Sequence, residues 1–408
     1  MTTRRLYYED AYEKEFAARV VSCEPAPRPA SPEQIAPVWE VVLDRTAFYP
    51  ASGGQPNDLG KLGDANVCDV RDAQDEIVHV VDRPLKPGEI RGCIDWPRRF
   101  DHMQQHTGQH LLSAMFQERF GLPTVSFHLG AEVCTIDLRG VEPSDEILEG
   151  AERAANRIIF EDRPVNVRYG TADQLSKLGV RKEVDRPGIL RAIEIESADL
   201  QPCGGTHVRS TGQIGLLLVR RCTKIRQDWR VEFFCGRRAE RIARHDFRVL
   251  RQAAEKLSCA SEDIVSAAAR ALAERDAHFK NFRAMLQRLA EAEARLALQT
   301  SSPETQGHRV VSRVFADLPA EYLSFFATEL AKSERTIALL AGAEGGHLLF
   351  AQHPSTGKDM NALLKEVLQQ SGGKGGGTRD FARGKLADPA QGEKALALAK
   401  ERLSSEKF

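Results

Sequence analysis

The sequence predicts an α+β protein of several domains. Its 408 residues are enough for two to four domains that each bury a core, and 42% of them are apolar, which is typical of globular proteins. The apolar pattern changes along the chain from short alternating runs to mixed runs, then to helical spacing, then to alternating strands and helices. We place the domains at residues 1–97, 98–238, 239–299 and 300–408.

Short apolar or alternating runs predict a small antiparallel β-barrel in the first domain. Turn residues at 53–54, 75–76 and 86–88 separate several of these runs. The predicted strands are residues 16–23, 38–43, 67–70, 77–81 and 90–94.

The second domain mixes helices with strands, which predicts an α+β fold. Helical spacing covers residues 104–120 and 144–160. The predicted strands lie around residue 127 and at residues 134–138, 193–195, 214–221 and 229–234.

Helical spacing then continues to about residue 299, with a break at 258–263, where Ser261 is a candidate cap for the next helix. A coiled helical arm and a packed helical hairpin both fit its many alanines. Residues 300–307 form a candidate linker. The last domain is predicted to be α/β, with strands at residues 309–315, 336–341 and 348–351.

Two short motifs indicate a metal site, although either motif alone would be a weak signal. His106 and His110 are four residues apart, so a helix places both imidazoles on one face. Glycines between Cys203 and His207 let a loop fold tightly and bring a thiolate and a third imidazole to the same point. Three nitrogens and one sulfur make a tetrahedral site, so we expect these four residues to bind Zn²⁺. The first pair lacks the intervening glutamate of the zincins, which excludes a metalloprotease.

Composition favours a cytoplasmic protein. The sequence contains no apolar run long enough to cross a membrane, and its first residues lack the apolar core of a signal peptide. Eight scattered cysteines in a chain of this length do not make a disulfide framework.

Local charge, rather than the net charge of −1, points to a nucleic acid. Residues 220–251 contain eleven basic and four acidic residues, an excess that fits a phosphate backbone. The alternative is a solvated helix face with internal ion pairs. From this run we take Arg237, Arg238 and Arg241 as candidate contacts to a nucleic acid.

Four segments carry a resemblance to a known family: residues 46–58 (TAFYPASGGQPND), 100–112 (FDHMQQHTGQHLL), 201–207 (QPCGGTH) and 372–377 (GGKGGG). The first three resemble the editing domain of alanyl-tRNA synthetases and of its free-standing relatives. The fourth is similar to the glycine-rich signature of the DHHA1 domain. The four occur in the family's order and span most of the chain.

The resemblance implies a hydrolase that deacylates mischarged tRNA(Ala) in trans, with serine as the first expected amino acid and glycine as the second. Alanine activation rejects glycine weakly, because one methyl group provides only ~1–3 kcal/mol of discrimination, and serine is not easily excluded either. Hydrogen bonds to the serine hydroxyl would let an editing site reject alanine by roughly 10⁴. We expect Thr46, Gln55 and Thr107 to supply them.

The role of the zinc ion stays open, because four protein ligands close a tetrahedral shell. The ion could lose a ligand and activate water, gain a fifth ligand and bind the substrate's amino group, or only shape the pocket.

The resemblance further implies that the C-terminal module contacts tRNA and forms a homodimer. The backbone amides of Gly373, Gly375 and Gly376 can approach phosphates closely, and Lys374 and Arg379 would add positive charge. The alternative for this segment is a flexible loop.

Two other functions fit the same residues. One is a non-catalytic, zinc-stabilised tRNA-binding module, and the other is editing of a different aminoacyl-tRNA such as Ser-tRNA(Thr). A phosphoesterase is a poor fit, because the sequence lacks the Asp-His-His motif that holds two metal ions in DHHA1-bearing phosphoesterases. With no synthetase catalytic domain before the barrel, we expect an ATP-independent activity that does not charge tRNA.

Overall fold

The computed structural model describes residues 2–26, 37–182, 186–302 and 307–405. The chain forms two compact units, Met1–Gln252 and Ala253–Phe408. Helices and strands are mixed in the first unit, and a long helix with an α/β sheet forms the second. The predicted α+β class with several domains is therefore confirmed.

The first unit begins with a closed barrel whose strands follow the order β2-β3-β7-β6-β5-β8, with every neighbouring pair antiparallel. This confirms the predicted barrel. Sequence analysis missed β5, because three residues are too few to show an alternating pattern. The strands are β1 (Arg4–Arg5), β2 (Glu15–Pro25), β3 (Trp39–Leu43), β4 (Arg45–Thr46), β5 (Gly60–Leu62), β6 (Ala65–Ala73), β7 (Glu76–Val81) and β8 (Gly88–Ile94).

A long helix, α1 (Trp96–Phe120), follows the barrel and carries the first metal motif. Asp95 caps it by accepting a hydrogen bond from the Arg98 amide at 3.3 Å, and Pro97 fits the first turn, where no amide donor is needed. The prediction began this helix at residue 104, too late by two turns. Its middle is buried even where the side chains are polar, so α1 is the central element of the unit.

Two sheets pack around α1, in the orders β14-β15-β10-β9 and β11-β12-β13. The predicted strand 214–221 is shifted in the structure to 217–225, because a 3₁₀ turn occupies Thr211–Ile214. The remaining elements are β9 (Thr124–Leu129), β10 (Cys134–Leu138), α2 (Asp145–Phe160), β11 (Val165–Gly170), α3 (Ala172–Lys177), β12 (Leu190–Ile195), β13 (Asp199–Pro202), β14 (Leu217–Ile225) and β15 (Asp228–Cys235).

The predicted helical stretch consists of α4 (Gly236–Leu257) and α5 (Ile264–Thr300). Ser261 does not cap α5: it lies in a 3₁₀ turn, and Asp263 occupies the capping position. Toward its end, α5 buries Leu286 and three alanines against the C-terminal sheet and α6 (Ala320–Leu330). Packing against this layer accounts for Ala290, Ala294 and Ala297. Of the predicted linker, residues 303–306 lie outside the described residues.

The C-terminal sheet has the order β16-β17-β18-β20-β19. α5 and α6 pack on one face, and α7 and α8 pack on the other, which gives a three-layer α/β/α arrangement. The remaining elements are β16 (Arg309–Phe315), β17 (Thr336–Gly342), β18 (His347–Gln352), α7 (Met360–Ser371), β19 (Gly373–Gly377), β20 (Phe381–Leu386) and α8 (Gly392–Ser404).

The glycine-rich segment forms the edge strand β19, so the flexible-loop alternative is wrong. A Cβ atom on Gly375 would lie 2.5 Å from the Cα of Gly384 and 2.8 Å from the Leu368 side chain. Only glycine lets the two strands and α7 approach so closely.

Candidate metal centre

The structure brings together the four side chains that the sequence paired by spacing. His106 and His110 project from α1, while Cys203 and His207 lie in the loop that follows β13. One ligand atom from each of the four lies within 4.8 Å of the others, and the group could hold a metal ion. A Cβ atom on Gly205 would come within 2.2 Å of the His106 ring, so glycine is needed where this loop crosses α1.

Distances and donor types fit a tetrahedral zinc ion. The Cys203 Sγ atom lies 3.4 Å from His106 Nε2 and 3.3 Å from His207 Nε2. Ordinary zinc–nitrogen and zinc–sulfur bonds at the tetrahedral angle separate such atoms by about 3.5 Å. The donor set therefore matches a metal that accepts imidazole and thiolate together.

Electrostatics in the cluster favour a thiolate and a neutral imidazole. Burial alone would raise the pKa of Cys203, but His106 and His207 hold that pKa well below its ordinary value. Burial and the neighbouring His106 lower the pKa of His207 to about 3. Metal ligands bind in these deprotonated forms. Burial alone would lower the pKa of His110, but its hydrogen bonds to Asp199 and Cys203 raise it to about 9, so His110 has to lose a proton before it binds an ion.

Each histidine is held through its second ring nitrogen. His106 Nδ1 donates to Gln55 Oε1 at 2.8 Å, and His207 Nδ1 lies 3.1 Å from the Thr107 hydroxyl. His110 Nδ1 donates to Asp199 Oδ2 at 3.1 Å. Such bonds fix the tautomer and turn Nε2 toward the centre of the cluster.

Most of the hydrogen-bonding capacity of Gln55 and all of that of the Thr107 hydroxyl is used within the protein. The Gln55 amide donates to Thr206 Oγ1 at 2.8 Å and also accepts from the Thr206 amide at 3.1 Å. The Thr107 hydroxyl donates to Met103 O at 2.9 Å and accepts from the Val208 amide at 3.2 Å. Their predicted contact with a serine hydroxyl stays a prediction, and the contacts in the structure are those of supports for the histidines.

Thr46 lies within the barrel, fully buried. Its hydroxyl donates to His79 Nε2 at 2.8 Å and accepts from the Phe48 amide at 3.0 Å. Burial lowers the pKa of His79 to about 4, which keeps this imidazole neutral and able to accept. The predicted substrate contact of Thr46 is untested, and its hydroxyl has protein partners already.

Asp199 supports the cluster, although the sequence motifs did not single it out. Its carboxylate is buried between His110 and Arg181, whose Nε donates to it at 2.7 Å. Burial alone would raise the pKa of Asp199, but the bond to His110 lowers it below its ordinary value. A carboxylate four residues before Cys203 was the available signal, but its partner lies 89 residues away.

The loop that carries Gln55 is anchored to α1 by a fully buried ion pair between Asp58 and Arg99. Arg99 Nε donates to the carboxylate at 2.9 Å, and its Nη atoms donate to the carbonyls of Ala11 and Ala47. Asp58 also accepts from the Tyr49 amide at 2.6 Å. Because Gln55 lies between these anchors, its distance to His106 is fixed by the barrel.

A cavity of about 660 Å³ opens beside the cluster, and His106, His110 and Cys203 form part of its wall. Its size suits the end of a small ligand rather than a large flat surface. Arg181, Lys182 and Arg186 add positive charge to the wall, and Phe127 adds an apolar face.

Comparison with known proteins decides the family. The chain is 32% identical to "Alanyl-tRNA editing protein AlaX-L" of Pyrococcus horikoshii over 98% of both chains. It is 30% identical to "Alanyl-tRNA editing protein Aarsd1" of Rattus norvegicus, again over 98% of both. The chain belongs to the alanyl-tRNA editing protein family. Against "Alanine--tRNA ligase" of Pyrococcus abyssi, 97% of this chain aligns at 31% identity with 43% of the relative.

Two domain families match parts of this editing protein homologue. Residues 190–230 match the "Threonyl and Alanyl tRNA synthetase second additional domain", which includes Cys203 and His207. Residues 306–405 match the DHHA1 domain. These matches confirm the resemblance stated from the sequence motifs.

The three arginines predicted to contact tRNA in the first unit have different surroundings. Arg237 is exposed, and the exposed Arg241 lies 3.3 Å from Glu132. Arg238 is only 5% exposed and is held by Asp101 and by the carbonyl of Gly130. The guanidinium of Arg238 is thus already bonded inside the fold, and its predicted contact with a phosphate stays a prediction that these surroundings do not favour.

In the second unit, the predicted contacts Gly373, Lys374, Gly375 and Gly376 all lie in β19. The Arg379 guanidinium donates to the carbonyls of Gly357 and Lys358, so it supports a loop. A cavity of about 780 Å³ lies on the α6 side of the sheet. Its basic lining residues are Arg283, His347, Lys374, Arg383 and Lys385.

None of the helices in the described part of the chain is both long enough and apolar enough to cross a membrane.

Proposed function

We propose that this member of the alanyl-tRNA editing family hydrolyses the ester bond of mischarged tRNA(Ala), with serine as the preferred amino acid and glycine as the second. The observation that carries the proposal is the cluster of His106, His110, Cys203 and His207 in the wall of a cavity. Family membership supports tRNA as the substrate. This activity would take place in the cytoplasm, where aminoacyl-tRNA is used.

Zinc is the proposed metal, since the three imidazoles and the thiolate suit it better than they suit Mg²⁺ or Ca²⁺. A bound zinc ion can polarise a carbonyl oxygen or lower the pKa of water. Gln55, Thr107 and Asp199 would orient the three histidines toward it. We therefore propose that Gln55 and Thr107 act by positioning the ligands.

The remaining cavity residues would receive the end of the tRNA. Lys182 and Arg186 give the wall a positive charge that can pair with backbone phosphates, while Arg181 is held by Asp199. Phe127 offers a ring on which a base or ribose can pack.

The C-terminal unit would bind tRNA away from the ester. Lys374, Arg383 and Lys385 line one cavity and have no ion pair among the described residues. Arg237 and Arg241 on α4 are the further candidates. Unpaired basic groups on a concave surface attract a polyanion, and their affinity falls as salt rises.

A homodimer through the C-terminal unit is also proposed. Support comes from α5, where the apolar side chains of Phe279, Phe282 and Met285 are more than half exposed. Exposed apolar stripes of this kind often form interfaces with another chain. Sedimentation velocity of Phe282→Ser would show a monomer if α5 forms the interface, and an unchanged mass would contradict it.

The test of the proposed function is deacylation of Ser-tRNA(Ala), Gly-tRNA(Ala) and Ala-tRNA(Ala) by the purified protein. We expect loss of serine and glycine with alanine spared. Cys203→Ala should abolish the activity and the bound zinc together, while the matched variant Cys222→Ala, outside the cluster, should keep both. Tight tRNA binding without deacylation would instead support the non-catalytic alternative.

A further inference from the structure

A buried amide on the wall of the metal cavity has one hydrogen-bonding atom without a partner. Gln109 lies in α1 next to His110, and its side chain lines the same cavity as His106 and His110. The residue is 3% exposed, and its Oε1 receives no hydrogen bond from the described residues. Buried acceptors are rarely left unpaired, so this one needs an explanation.

The other end of the amide is held firmly. Gln109 Nε2 donates to Ser113 Oγ at 2.9 Å, and Ser113 is fully buried one turn further along α1. The Thr124 hydroxyl donates to the same oxygen at 2.8 Å. Thr124 belongs to β9 and also lines the cavity, so helix and strand together fix the amide. The unpaired oxygen is thus part of a rigid network.

The side chains predicted to recognise serine are hydrogen-bonded to other residues of the protein. Gln55 and Thr107 support His106 and His207, and Thr46 bonds to His79. Several other buried side-chain atoms also lack partners in the described part of the chain, but Gln109 is the one among them that lines this cavity. Its oxygen is a buried acceptor at the cavity wall for which the described residues supply no donor.

We propose that Gln109 recognises the side-chain hydroxyl of the serine carried by the mischarged tRNA. The inference rests on the proposed function and adds the residue that sets its amino-acid preference. A serine ester pairs the buried oxygen, whereas glycine and alanine esters leave it unpaired. A site built in this way rejects the ligand that lacks the donor.

The amino group of the substrate is a poorer match for this role. Every aminoacyl ester carries the same amino group, so a bond to it could not separate serine from glycine or alanine. A hydroxyl both donates and accepts, and it therefore pairs with either end of the amide, while an ammonium group only donates. The serine hydroxyl can therefore bond to Gln109 whether the Oε1 or the Nε2 atom of the amide faces it.

The test compares kcat/KM for Ser-tRNA(Ala) and Gly-tRNA(Ala) in the full-length, zinc-loaded protein and in Gln109→Met. Methionine has a similar length but no acceptor for the hydroxyl. We expect the serine-to-glycine ratio to fall roughly tenfold, the loss of one neutral hydrogen bond, with zinc content unchanged. Gln117→Met is the matched control, because it makes the same change on the same helix at a residue outside the cavity.

Ser113→Ala provides a second variant that leaves Gln109 in place. Removing the anchor of the amide should lower the same ratio, but by less than Gln109→Met does. Equal losses for both substrates, or an unchanged ratio in both variants, would overturn the inference while the deacylase activity stood. Failure of the wild-type protein to deacylate either substrate would overturn the proposed function itself.

Discussion

The metal cavity is built around a buried, paired carboxylate, whereas most of the basic groups that line the C-terminal cavity have no ion pair among the described residues. Asp199 is buried between His110 and Arg181 in the first cavity. Lys374 and Arg383 line the second without an ion pair among the described residues. Paired charges hold atoms at fixed distances, which chemistry requires, and unpaired charges attract a polyanion. The difference supports the proposal that the ester is hydrolysed in the first unit and that the second unit adds affinity for tRNA.

Arg238→Ala should produce the largest effect, and the effect should be on stability. The change removes a buried guanidinium and leaves Asp101 without its partner. We expect a loss of about 3 kcal/mol in the free energy of unfolding, measured by urea denaturation.

Arg241→Ala is the control for Arg238, because Arg241 is exposed beside Glu132 and should change stability by less than ~0.5 kcal/mol. If Arg238→Ala is as stable as the wild type but binds tRNA weakly, Arg238 contacts a phosphate.

Asp199→Asn should weaken zinc binding by ~10–100-fold, as is typical when the partner of a metal-ligating histidine is altered. Asparagine keeps the shape but removes the charge that orients His110 and pairs with Arg181. Competition with a zinc-sensitive chelator measures the affinity. Asp173→Asn, an exposed carboxylate on α3, is the control. Unchanged affinity in Asp199→Asn would show that the ion does not depend on this support.

Lys374→Ala combined with Arg383→Ala should raise the Kd for tRNA by roughly tenfold at physiological salt and reduce its salt dependence by about one counterion per residue. The rate at saturating tRNA should stay the same, since both residues lie in the second unit. Filter binding across a salt series measures both quantities. Lys394→Ala, on α8, is the control. A lower deacylation rate at saturating tRNA would show that these two residues also affect the chemical step.

Thr46→Val should have the smallest effect on activity. The change leaves His79 Nε2 without its partner, so we expect a stability loss of about 1 kcal/mol and a serine-to-glycine ratio within twofold of wild type. Thermal unfolding and deacylation assays measure the two. A large fall in the ratio would restore Thr46 as a contact of the serine hydroxyl.

Spacing was enough to find the four clustered residues, because a helix and a glycine turn leave few alternatives for where their side chains go. It could not find Asp199 as the support of His110, since their pairing depends on how β13 packs against α1. Gln109 is equally hidden in sequence. Nothing in a glutamine shows that its neighbours will satisfy one end of the amide and leave the other unpaired.

Charge and composition were less informative than spacing. A run of arginines does not show that Arg238 turns inward to Asp101 while Arg241 stays at the surface. A run of glycines likewise fits a mobile loop and a tightly packed edge strand, and Leu368 and Gly384 decide between them. Asp101 lies 137 residues from Arg238, and the partners of the glycine strand belong to a neighbouring helix and strand whose packing the glycines alone do not show.

The buried pair of Asp58 and Arg99 limits how small a working fragment of this protein can be. A chain cut to begin at residue 98 would keep all four clustered side chains but would leave Arg99 without its carboxylate and lose Gln55 from His106. Without Gln55, His106 loses the bond that orients its ring, and a ligand histidine without such support binds its metal more weakly. The barrel therefore helps to hold the metal cluster in place. A fragment without the barrel would lose part of the site that it was meant to isolate.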